Sequence, residues 1–276
     1  MSQRSEQMRG NAIAIVLLLA GGIIMVAPFV WMLSTSLKVP ADQYSRTLIP
    51  PILTLDNYRE IWSLIPLQTM LWNSLKIAAI ATAGQLLTCS MAAFVFAVAR
   101  FRGRDILFFL LLLTLMVPSQ ITTIPQFILF KWLGLYGTQV PMYLPSFLGG
   151  AFGTFLLRQY FKTIPIELAE AARIDGASLI TIYWNIYLPL AKPALAAFGV
   201  FAFMFSWNDL FTALIYLPSD PETTTLPVGL ALFQQQYGGK WTLMMAAVLI
   251  SVAPIIVAFL IAQKQFIQGI SMSGLK

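Results

Sequence analysis

No histidine occurs among the 276 residues, and cysteine occurs once, as Cys89. The first absence removes imidazole acid–base chemistry and the commonest metal ligand. The second excludes an internal disulfide and leaves Cys89 to pack as a small apolar side chain. Charge is scarce too. Asp, Glu, Lys and Arg make up 10% of the chain, against about 25% in soluble domains. No Gly-x-x-x-x-Gly-Lys-Ser/Thr phosphate loop is present, so no ATP site is expected in this chain. Without His, and without clustered acids or thiols, no catalytic constellation is visible and no bound metal or cofactor is expected.

What remains is apolar: 58% of residues are hydrophobic and the mean hydropathy is +0.78. Stretches free of charge cover 10–37, 77–99, 106–130, 132–157, 193–208 and 241–263. A helix needs about 20 apolar residues to cross the hydrocarbon core. The expected spans are 11–37, 73–99, 105–130, 142–161, 193–216 and 241–264. The fourth starts late because Gly134, Gly137 and Pro141 interrupt its run. The fifth is long enough only if it continues through Asp209. A transmembrane barrel would show short alternating strands instead. The expected fold is therefore an all-α membrane protein with six transmembrane helices, in a single domain over 1–276. Arg4 and Arg9 precede the first run as in a signal peptide, but that run is too long for one and reads as a retained span.

A net charge of +6 would suggest nucleic acid in a soluble protein; here its distribution points to lipid. With the N-terminus inside, eleven of the seventeen Lys and Arg residues fall on the inner side and six outside. The loop 100–104 alone holds Arg100, Arg102 and Arg104. Orientation follows this excess, which places both termini of a multi-pass membrane protein in the cytoplasm.

Between the spans, 56–64 is expected as a short surface helix, 217–240 as a Pro-rich external loop and 265–276 as an extended tail. Gln120, Thr122 and Thr123, between Pro118 and Pro125, read two ways: as a kink repaired by side chains, or as a cavity lining. Asp209 likewise lines an interior or anchors at the interface. Trp207, Asn208 and Gln120 are candidate pathway residues, an aromatic and amides suiting sugar faces and hydroxyls, although kinked-helix packing explains them about as well. Gly149, Gly150 and Gly153 read as a small-residue face on span four, and alanines around Gly84 do the same on span two.

One polar island interrupts this pattern. In 165–193, Pro165 suits a helix start and Glu167 the positive end of the helix dipole. Ile164, Leu168, Ala171 and Ala172 share one face by i, i+4, i+7, i+8 spacing. Gly176 stops the helix in the left-handed conformation that glycine adopts cheaply. Ser178 caps a second helix with Leu179, Ile182, Tyr183 and Ile186 apolar, and Leu188-Pro189 ends it. An amphipathic helix resting on headgroups would share this spacing.

The run Glu170-Ala171-Ala172, Asp175-Gly176-Ala177 and Leu188-Pro189 resembles the cytoplasmic coupling loop, about 162–192, of ABC importer permeases. The whole chain resembles the inner-membrane permease of carbohydrate-uptake ABC importers, in the maltose-type branch. Asn73-Ser74, Met116-Val117-Pro118, Ser206-Trp207-Asn208-Asp209 and the tail motif at 265–270 support this, while 272–276 departs from the family's usual ending. The resemblance implies the type I permease fold, a second homologous permease subunit, two ATPase subunits carrying Mg-ATP, and an external solute-binding protein. It implies that Glu167, Glu170, Ala171, Ala172, Asp175, Gly176, Leu188 and Pro189 couple to the ATPase. It also implies an inner (plasma) membrane location and that the membrane helices form a pathway, for which Gln120, Trp207, Asn208 and Asp209 are the candidates by their own chemistry. A sugar or oligosaccharide is the implied cargo, with a glycerol phosphate ester or polyol as the alternative. An ion-coupled transporter would want paired intramembrane acids or two related halves of broken helices, for which Asp209 alone is a thin basis.

Overall fold

The computed structural model describes residues 2–217 and 220–273, with side chains described for 14–217 and 220–264. The described residues are helical and contain no strand. The chain divides into two compact units, 1–66 with 230–252, and 67–229 with 253–276.

In the first unit, α1 (Ser2–Ser36) carries the first span and tolerates Pro28 inside it. Helix α2 (Asp56–Leu64) forms where the sequence places it. Lys240 pairs with Glu60 at 3.6 Å, and the Trp241 N–H donates to Gln43 Oε1 at 2.9 Å.

The second unit is built on α3 (Leu67–Val98), which begins six residues before the expected start of span two. After the Arg-rich turn come α4 (Arg104–Leu113), a 3-10 turn over Thr114–Met116, and α5 (Ser119–Trp132). Span three is therefore not one helix: Val117 and Pro118 are extended, and the two halves bend by 96°. Pro118 forces this, since a proline disfavours helical geometry in the residue before it. Pro125 is accommodated within α5.

Helix α6 (Val140–Tyr143), a 3-10 stretch (Leu144–Leu148) and α7 (Ala151–Phe161) make up span four. Gly149 is not on its small-residue face but turns the chain, with φ +86°. Gly153 does provide the close approach: a Cβ there would lie 2.1 Å from Phe198 Cζ on the neighbouring helix. Gly84 does the same for the Phe147 ring, at 2.9 Å. Lipid is as apolar as leucine, so close packing of this kind must hold membrane helices together.

Next follow α8 (Glu167–Ile174), α9 (Leu179–Ile182), a π turn (Tyr183–Tyr187) and α10 (Leu188–Leu190). The second polar-island helix thus runs through Leu188-Pro189 instead of ending there. The π turn widens the helix ahead of Pro189, whose ring would otherwise strike a carbonyl of the preceding turn. Helix α11 (Lys192–Trp207) starts after a bend of 80°.

Span five is also broken. Asn208 leaves helical geometry and α12 (Phe211–Tyr216) follows. The expected external loop contains a helix, α13 (Leu226–Tyr237). Pro227 sits in its first turn, where no amide is needed. Buried Ser74 Oγ accepts the Leu226 N–H at 2.8 Å. Asn73 Nδ2 donates to the carbonyls of Glu222 and Thr224 at 2.8 and 3.1 Å. These two residues at the head of α3 thereby shape the approach to α13.

Finally α14 (Trp241–Ser273) carries span six past its expected end. The tail expected to be extended is helical to Ser273, because a single Gly269 costs only about 1 kcal/mol and does not stop a helix. The side chains of the tail motif lie outside the described residues. Four helices are long and apolar enough to cross a membrane, and the two bent pairs bring the number to six when each pair is one crossing.

Buried Arg158, counted in the sequence only for its charge, fastens α3, α4 and α7 together. Its Nε donates to the Phe96 carbonyl at 3.1 Å and its Nη2 reaches Asp105 Oδ1 at 3.4 Å. The guanidinium lies over the Phe108 ring, 3.9 Å from its centroid. Cys89 is buried as expected, with its Sγ 3.5 Å from the Gly150 carbonyl.

Candidate functional site

The polar island folds as two short helices about a glycine turn. Ile166 supplies the first carbonyl of α8, which accepts the Glu170 N–H at 3.0 Å. At its end, the Gly176 N–H bonds the Arg173 carbonyl at 3.0 Å and the Ala177 N–H bonds that of Ala172 at 2.9 Å. Together these make a Schellman cap. It requires Gly176 at φ +82°, where L-residues are strained. Ser178 Oγ then accepts the Thr181 N–H at 3.2 Å, capping α9.

The face turned inward is one residue away from the expected one. Ile164 and Ala169 are buried, and Ala172 packs against the same core. Leu168 and Ala171 are exposed. Along the second helix, Ile182, Tyr183 and Tyr187 are buried and Leu179 is not. The anchoring core draws Phe94 from α3 and Phe161 from α7 around these tyrosines, with centroid distances from Phe94 of 6.5, 5.4 and 5.1 Å to Phe161, Tyr183 and Tyr187. Tyr183 also shares a 2.7 Å hydroxyl bond with Ser90 of α3. The two short helices are therefore continuous in packing with the helices that carry spans two, four and five.

The opposite side is left open. Ile174 is 87% and Ile180 72% exposed, beside exposed Glu167, Ala171, Asp175 and Gly176. Glu170 pairs with Arg100 at 2.9 Å, both side chains largely in solvent. A pair of this kind is worth at most about 1 kcal/mol, so it orients Glu170 without tying it down. In the sequence Arg100 counts only for its charge, because nothing there signals a partner 70 residues away. Leu188 packs against the anchoring core, while Pro189 is exposed.

The pathway candidates are dispersed. Trp207 is buried and stacked on Phe203, at 5.6 Å and 19°. Asp209 Oδ1 accepts the Thr212 N–H at 3.0 Å, capping the start of α12. Asn208 and Asp209 do border an open cleft of about 590 Å³, with Phe201, Phe205 and Phe211 on its walls. Gln120 does not border that cleft; it is exposed on the first turn of α5.

This architecture matches known proteins along most of its length. The chain is 35% identical over 92% of its length, and 92% of the relative's, to the arabinooligosaccharides transport system permease protein AraQ of Halalkalibacterium halodurans. It is 32% identical over 92% of its length, and 94% of the relative's, to the sn-glycerol-3-phosphate transport system permease protein UgpE of Yersinia enterocolitica. A solved chain of a bacterial ABC transporter involved in the import of the acidic polysaccharide alginate superposes with a TM-score of 0.79. That match has 26% identity and covers 95% of this chain and 98% of the other. The fold is thus the type I ABC importer permease fold, in a multi-pass membrane protein. Residues 84–272 match the family described as binding-protein-dependent transport system inner membrane component, and with the polar island and the broken spans inside that stretch, the chain belongs to this family of transport permeases.

Proposed function

We propose that the chain forms half of the translocation pathway of an ATP-driven importer, for a sugar or oligosaccharide delivered by an external solute-binding protein. A second permease of the same kind completes the pathway. Two ATPase subunits, which hold Mg-ATP and do the hydrolysis, dock on the cytoplasmic side, where both termini lie. The single observation that carries this reading is the two-sidedness of the polar island. Ala169 and Ala172 face the helical core, while Leu168, Ala171 and Ile174 face outward with nothing on them.

The division of labour follows from this geometry. Closure of the ATPase dimer moves the surface on which α8 rests. Ala169, Tyr183 and Tyr187 pass the displacement to α3, α7 and α11, whose packed contacts move as a body because close-packed interiors deform little. An ATPase state shifts the pore only by as much as its docking energy differs between inward and outward forms. Glu167, Glu170, Asp175 and the Gly176 turn lie on the outer side of the joint.

The cleft beside Asn208 favours a neutral sugar over a phosphate ester. Its walls offer aromatic faces, an amide and a carboxylate, but no Lys or Arg, whereas phosphate recognition calls for cations. Proteoliposomes holding the assembled transporter test the reading. ATP-dependent accumulation of labelled arabino-oligosaccharide that requires the binding protein is expected. Accumulation without ATP or binding protein contradicts the importer, and uptake of glycerol 3-phosphate in place of the sugar contradicts the cargo.

A further inference from the structure

Contacts of three residues, Lys38, Thr54 and Asn57, fold the segment after α1 back on the helix that precedes it. Lys38, fully buried, donates from Nζ to the Ser45 carbonyl at 2.7 Å and lies 4.7 Å from the Trp31 ring centroid. The Thr54 N–H bonds the Leu37 carbonyl at 2.9 Å. Asn57 Nδ2 donates to the carbonyls of Ser36 and Lys38, both at 2.8 Å. Both ends of the stretch 46–53 are thus held at the level of the last turn of α1.

Between those ends the sequence is Arg-Thr-Leu-Ile-Pro-Pro-Ile-Leu, uncharged after Arg46. Its apolar side chains point away from the protein: Ile49 is 80%, Leu53 65% and Ile52 60% exposed. The stretch also hangs alongside the span. Leu48 lines an apolar groove together with Leu18, Gly22, Val26 and Val30 of α1. Of these Val30 is closest to the helix end, six residues before Ser36, or about 9 Å at 1.5 Å per residue.

We propose that residues 46–53 form an interfacial anchor, with Leu48, Ile49, Ile52 and Leu53 embedded among lipid acyl chains in the leaflet at the C-terminal end of α1. The groove it shares runs along a helix apolar enough to span the bilayer, whose residues 14–31 are exposed. The depth agrees with the roughly 5–10 Å to which interfacial segments sink. Non-helical backbone is tolerated poorly in lipid because its N–H groups find no partner. Pro50 and Pro51 lack that group, and the Thr47 N–H bonds Ser45 Oγ at 3.3 Å. Exposed Arg46, at the head of the stretch, is placed to meet a lipid phosphate.

The test is a nitroxide attached at Ile49→Cys or Ile52→Cys in a Cys89→Ser background. The assembled transporter is placed in vesicles of phosphatidylethanolamine and phosphatidylglycerol, with Arg59→Cys as the aqueous control. Collisions with oxygen should exceed those with a water-soluble nickel chelate at 49 and 52, and the reverse should hold at 59. Nickel-dominated collisions at 49 and 52 overturn the proposal by placing the loop in water. Low collision rates with both reagents overturn it by placing a neighbouring subunit there. Neither outcome bears on the importer reading, which does not rest on this loop.

Discussion

Replacing Gly176 with Asp is expected to lower uptake at least tenfold while leaving the amount of protein in the membrane unchanged. The two halves of this prediction come from different facts. A Cβ at position 176 meets nothing within 4 Å, so the only penalty within the chain is that of a left-handed L-residue, about 1–2 kcal/mol. The fold survives that. What does not survive is the surface: a carboxylate appears on the outward turn between α8 and α9, where the proposed ATPase subunit would pack and the new charge would lose its water. Asn has the same shape and enters the left-handed region equally well, so Gly176→Asn should retain most of the uptake. Transport assayed against membrane-inserted protein, with both variants side by side, separates the charge from the backbone. Equal activity in Asp and Asn variants would remove the turn from the docking surface.

The second large effect lies inside the bundle. Gly153→Ala puts a methyl group 2.1 Å from Phe198 Cζ, on a ring that is itself only 2% exposed. Because the ring is enclosed, α7 and α11 must separate, and overpacking of this kind costs about 1–3 kcal/mol. Gly153→Val should cost more and deplete folded protein from the membrane. The thermal midpoint of the detergent-solubilised transporter reads this directly. If the clash is the cause, Phe198→Leu should restore part of the loss in the Gly153→Ala background while being harmful by itself, a coupling that distant sites do not show. An unchanged midpoint in Gly153→Ala would mean that this contact does not set the helix spacing.

The sequence was most informative where a residue has one cheap conformation. The stop at Gly176 and the cap at Ser178 were legible because left-handed backbone and exposed helix ends each favour few side chains. The helix over 56–64 and the apolar runs were legible for similar reasons. The inward face of α8 was not. In a soluble helix the apolar side marks the core, but here Leu168 and Ile174 are apolar and outward while Ala169 and Ala172 are small and inward. The apolar residues of this short helix fall on both of its sides, so apolar character does not single out the buried one. Helix α13 lies within the stretch expected as a Pro-rich loop, and Pro227 stands in its first turn, where a proline does not oppose a helix.

The pathway residues show a related limit. Trp207 and Asp209 stand out by residue type in an apolar span; Trp207 stacks on Phe203, and Asp209 both caps a helix and borders the cleft. Nothing in a linear pattern distinguishes a polar side chain that repairs a broken helix from one that meets a solute. By contrast, Asn73-Ser74 drew notice only as part of a resemblance, and both prove to organise the loop and helix more than 140 positions away, through the Glu222 and Leu226 contacts.

A cysteine at Ala171 in the Cys89→Ser background addresses the coupling role most directly. Ala171 lies on the open side of α8, clear of the anchoring core. In membranes that take up substrate, a short bifunctional reagent on this cysteine should capture an ATPase subunit, with a yield that changes when ATP is added. Failure to capture that subunit in actively transporting membranes would contradict the assignment of this segment as the joint between motor and pore.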